Sequence, residues 1–206
     1  MHDRVFSIVL LTTIVGEFLV PFVLKFFYKG YNWKKMPMSV LGSPQSPVKL
    51  IYRTWLIWLG IFLIFCAFRY YGDAVSASPA LAAIEFVQIS VFAIGAGILS
   101  GLFSVNEDKK CETLSSRIHG AGAAIGFILL AFFPLINGLY EIKLGDTAFG
   151  IVKIAAFGNC LTWFSFFVLS DKERFRNTTK NNEGLWQRLT LFFMYFPFLM
   201  DAVSGL

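Results

Sequence analysis

A chain of 206 residues that is 56% hydrophobic and 17% aromatic, with a mean hydropathy of +0.65, is too apolar for a soluble domain. Its net charge of +5 does not point to nucleic acid, because the basic residues are confined to alternate connections between apolar runs. The expectation is an all-α integral membrane protein, with residues 1–206 forming one domain and leaving no room for a separate soluble unit.

A bilayer core needs about 20 apolar residues per helix, and six such runs are predicted near 6–27, 51–71, 81–103, 118–138, 149–169 and 187–204. None alternates with period two, so helices are expected rather than barrel strands. The first run carries Glu17 near its middle, with Thr13 and Pro21 four residues to either side on the same helix face. Pro21 is an expected kink. The mid-run carboxyl, together with the lack of a small-residue cleavage motif, argues against a cleaved signal peptide.

The first connection reads P-M-S-V-L-G-S-P-Q-S-P over 37–47. Its two Ser-Pro steps disfavour helix, and the segment is expected to lie flat across the mouth of the bundle, offering Ser39, Ser43 and Ser46 to a ligand. Tyr28, Tyr31, Trp33, Tyr52, Trp55 and Trp186 mark one membrane boundary, and Tyr70, Tyr71 and Tyr140 the other, as an interfacial aromatic belt. Span 3 carries Gly95, Gly97 and Gly101, and span 4 carries Gly120, Gly122 and Gly126. Small residues four apart let backbones approach closely, so these two spans are expected to form a tight hairpin around 104–117.

Ionisable groups inside spans are costly and usually have a role. Glu17 is the deepest, and Gln88 and Asn159 are its expected polar partners across the bundle. Arg69, Glu85, Lys153 and Asp201 lie at comparable depth, which predicts one or two ion pairs that lock helices together. Around the second basic connection, Glu107, Asp108, Arg117 and His119 form a candidate acid–base set. There is no H-E-x-x-H and no G-x-S-x-G, so neither a metal nor another cofactor is expected. Cys66, Cys111 and Cys160 show no C-x-x-C spacing and imply no disulfide framework.

Charge sets the orientation. Of the 18 Lys and Arg, 14 fall in the connections after spans 1, 3 and 5 or at their edges. Basic short loops stay cytoplasmic, so both termini are expected outside and the protein is placed as multi-pass in the inner (plasma) membrane. The polar connection 171–186 would rest against anionic headgroups.

Two motifs carry a resemblance: L-G-S-P-Q-S-P at 41–47, and Gly101 and Phe103 followed by Glu107, Asp108 and a His, His119, opening the next span. With six spans at this spacing, the chain resembles the bacterial and archaeal membrane family called domain of unknown function 998. That resemblance implies a six-helix bundle and no agreed activity. Ser104 stands where members of that family often have Pro.

The reading that follows is a non-catalytic protein binding a lipid or amphiphile between its helices, with Glu17, Gln88, Asn159, Ser39, Ser43 and Ser46 as candidate contacts. One rival is a membrane-embedded enzyme acting on a lipid headgroup through His119 with Glu107 or Asp108. Another is a small proton-coupled transporter centred on Glu17. Membrane lipids are the expected partners and nucleic acid is not, while the glycine faces leave homo-oligomerisation open.

Overall fold

Lipid offers the backbone no hydrogen-bond partners, and the chain answers with helices: this computed structural model describes residues 4–106, 113–170 and 181–206, and no strand occurs among them. Helix α1 spans Arg4–Leu24 and ends in a tight 3-10 turn, Lys25–Phe27; α2 spans Lys49–Ala74. Helix α3 spans Pro79–Phe92 and continues through a wide π-helical turn, Ala93–Leu99, to a last turn at Ser100–Leu102. Then follow α4 (Leu114–Ala131), α5 (Phe133–Leu144), α6 (Thr147–Ser170), α7 (Glu183–Met194) and α8 (Phe196–Ser204).

Among the described residues, five stretches are long and apolar enough to cross a membrane: Arg4–Phe27, Lys49–Ala74, Pro79–Leu102, Leu114–Leu144 and Thr147–Ser170. The chain is a multi-pass helical membrane protein. The run expected at 187–204 is divided between α7 and α8. The fourth stretch is likewise longer than expected and breaks between α4 and α5. Both breaks have one cause. Pro134 and Pro197 sit in the first turns of α5 and α8, where a missing N–H is harmless, but neither can continue the preceding helix. Pro21, the one expected kink, lies inside α1 on its buried face.

That buried face reads Leu10, Ile14, Glu17, Pro21 and Leu24, a spacing of three and four. Close packing elsewhere rests on glycine. A Cβ on Gly95 would strike the Gly122 carbonyl, and one on Gly97 would lie 2.6 Å from the Gly60 Cα. Span 3 therefore meets span 4 through Gly95 and Gly122. The expected pair Gly97 and Gly101 instead faces α2, at Gly60 and Arg53. Gly95 and Gly97, two residues apart, stand on opposite sides of the helix and so meet different neighbours.

The first connection brings Pro37, Met38, Ser39 and Val40 to the wall of an internal cavity. Met38–Gly42 forms a short 3-10 turn that tucks Met38 and Leu41 into the core. Several belt aromatics also point inward, since Tyr52 is buried and Trp55 donates its indole N–H to Glu17. The Tyr70 hydroxyl donates to Asp201 at 2.7 Å.

A second polar cluster fastens the opposite half of the bundle. Lys153, fully buried, reaches Asp201 at 2.6 Å and Glu141 at 2.7 Å. Of the expected four, Lys153 and Asp201 pair. Arg69 pairs instead with Asp73 on its own helix at 3.2 Å, and Glu85 accepts from the Asn137 amide at 2.9 Å. The Lys153 pairs hold α6, which is the most peripheral of the five stretches: 17% of its apolar window is buried, against 39–44% for the other four.

Candidate functional site

A single carboxyl within an apolar helix must find a donor or a cavity, and Glu17 has both. Its Oε2 accepts the Trp55 indole N–H at 2.7 Å, and its Oε1 has no hydrogen-bond partner among the described residues. The residue lines a cavity of about 450 Å³. The helical register explains the arrangement. On α2, Tyr52, Trp55, Leu56 and Leu59 recur at three and four residues, so one face carries the donor to Glu17 and three side chains of the cavity wall.

The π turn shapes the opposite wall. Phe92, Ala96 and Ser100 line the cavity at four-residue spacing. The Ser100 hydroxyl donates at 3.1 Å to the Gly95 carbonyl, one of the backbone groups displaced by the widened turn. Phe127, Phe164 and Phe167 supply aromatic surface from α4 and α6, and Tyr195 closes the floor at the α7–α8 break. The Tyr195 hydroxyl is buried and has no partner among the described residues.

One end of the cavity is fixed by hydrogen bonds between α7 and the first connection. The Gln187 side-chain oxygen accepts from the Met38 N–H at 2.7 Å. Arg188 donates to the carbonyls of Trp33 at 2.8 Å and Gly184 at 2.7 Å, and to the Tyr31 hydroxyl at 2.9 Å. Burial raises the Tyr31 phenol above its ordinary pKa, with the Arg188 charge partly opposing it. On its side, the cavity wall includes exposed apolar residues of α4 and α6. Ile128 and Val168 line it there and remain 50% and 46% exposed.

The expected site residues divide sharply. Glu17 and Ser39 line the cavity. Ser43 and Ser46 are buried beside it without lining it, and Ser46 accepts from the Val48 N–H at 3.3 Å. Asn159 does not meet Glu17: it is on the exposed face of α6, where its amide donates to Ala155 one turn back at 3.0 Å. Gln88 is buried in α3 but is likewise away from the cavity. Spacing alone could not assign rotation to helices that are apolar all round. Trp55, Gln187 and Tyr195 were missed as site residues, although the 52–55–56–59 register pointed to the first.

His119 lines the cavity, but its Nδ1 lies 2.9 Å from the Phe103 carbonyl. A carbonyl only accepts, so Nδ1 carries the proton and donates, capping the end of α3 beside Arg53, whose Nε donates to Gly101 at 2.7 Å. Glu107 and Asp108 lie outside the described residues. Arg117 is exposed and does not line the cavity. No cluster of three or more potential metal ligands occurs among the described residues.

A family model described as "Protein of unknown function (DUF998)" matches residues 13–204. No curated protein and no solved structure matches the chain.

Proposed function

We propose, from the premise that the chain belongs to the DUF998 family, that it binds a lipid or other amphiphile inside its helix bundle. The observation that carries the reading is the cavity: largely apolar, of ligand size, open toward the bilayer between α4 and α6, with the Glu17 carboxyl in its wall. A membrane-dissolved molecule has a route in, and a polar group waits at depth. The enzyme reading draws less support, because His119 is committed to capping α3.

In this proposal residues 1–206 form one domain of six spans in the plasma membrane. The basic connections are cytoplasmic and both termini lie outside. The window and Glu17 then serve the cytoplasmic half of the bilayer.

Native mass spectrometry of the gently extracted protein tests the reading. An amphiphile is expected to remain bound, and Ala124→Trp, at an exposed position of the cavity rim, is expected to lower its occupancy about tenfold (roughly 1.4 kcal/mol) at unchanged Tm. A wild-type protein that retains no amphiphile after extraction into a mild, lipid-supplemented detergent would count against it.

A further inference from the structure

We infer, building on the amphiphile-binding reading above, that the cavity selects a single-chain amphiphile with a cationic head, an alkyl amine, and rejects one with an anionic head.

Size sets the first limit. The cavity of about 450 Å³ holds about fifteen water-sized groups, at roughly 30 Å³ each. That accommodates one chain or a small ring system but not the two chains of a phospholipid.

Charge sets the second. Among the described residues no Lys or Arg lines the cavity, while the Glu17 carboxyl does. The nearest cation to Glu17, Arg188, spends its guanidinium on Trp33, Gly184 and Tyr31. A phosphate or carboxylate head entering here would meet the Glu17 carboxyl rather than a lining cation, which is costly in a low-dielectric site. An ammonium would meet the free Oε1 of Glu17, and Trp55 on Oε2 already fixes the carboxyl in place.

Lining chemistry agrees. The hydroxyl of Tyr195 is buried without a partner among the described residues, and an amine N–H can donate to it. Tyr52, Phe92, Phe127, Phe164 and Phe167 line the interior, and aromatic rings attract cations once water is excluded.

Three photoreactive probes of one chain length, bearing a primary amine, a hydroxyl or a phosphate, test this on the full chain in nanodiscs. The amine probe is expected to label cavity residues at least ten times more than the phosphate probe, roughly the 1.4 kcal/mol of one charge contact, with the alcohol between them. Glu17→Gln keeps an acceptor for Trp55 and is expected to bring amine labelling down to the alcohol level while leaving the alcohol unchanged. Phosphate labelling equal to or above amine labelling, or an amine preference that survives Glu17→Gln, overturns the inference. The binding reading still stands in that case if Ala124→Trp blocks every probe. Labelling that ignores Ala124→Trp, or none at all, overturns both.

Discussion

Among the described residues Lys153 is the one cation paired with Glu141 and Asp201, and it has no exposed side-chain surface. Removing one partner from a buried pair costs more than the pair itself contributes, because the remaining charge is stranded. Lys153→Met leaves two carboxylates facing each other and is expected to destabilise the protein by about 3 kcal/mol. Tyr70→Phe removes one hydrogen bond to Asp201 and is expected to cost about 1 kcal/mol. Thermal unfolding in one detergent gives the order, and a Tyr70→Phe effect exceeding that of Lys153→Met would refute the account. Glu85 shows how much of this was legible. Its depth was readable from the sequence, but its partner Asn137 was not, because the α4–α5 break at Phe132 decides which face of α5 points inward.

At the scale of elements, glycines of the same sequence character have very different neighbours. Gly95 meets the Gly122 carbonyl directly, whereas a Cβ at Gly120 meets nothing within 4 Å. Gly95→Ala is expected to lose about 2 kcal/mol by overpacking, and Gly120→Ala to change stability by less than about 0.5 kcal/mol. Chemical unfolding of the two variants checks the contrast, and equal losses would mean the helices can separate at no cost. Both glycines stand in the same kind of apolar run, and spacing alone suggested shared faces. Five long apolar helices and the buried stripe of α1 were legible, since Thr13, Glu17 and Pro21 marked that stripe at four-residue spacing. Rotation of the Phe-rich helices was not, because their lipid-facing and core-facing sides are equally apolar. Trp55 and Tyr52 therefore passed for boundary anchors, and Asn159 for an inward group.

For the molecule as a whole, the proposed orientation makes Ser76 external and Lys34 cytoplasmic, and both are exposed. In a Cys111→Ser background, an impermeant maleimide applied to intact cells is expected to label Ser76→Cys and leave Lys34→Cys unlabelled until the membrane is opened. The reverse pattern would invert the topology and place the cavity mouth outside. The two remaining cysteines, Cys66 and Cys160, are buried and should contribute no background. Peripheral α6 joins both halves of this picture. It forms one side of the lipid-facing window, and the Lys153 ion pairs hold it near its other end.

The widened turn at Ala93–Leu99 also fixes something other than side-chain identity. An α-helix advances about 100° per residue, whereas a π turn takes in one extra residue for about the same rotation. Deleting one residue within Ala93–Leu99 is therefore expected to restore regular winding and leave Gly101 against Arg53 and Ser100 in the cavity wall, while the same deletion within Pro79–Phe92 would swing everything after it by about 100°. A one-residue gap placed across the wide turn still pairs positions on the same face of the helix, and a gap placed elsewhere in the span does not.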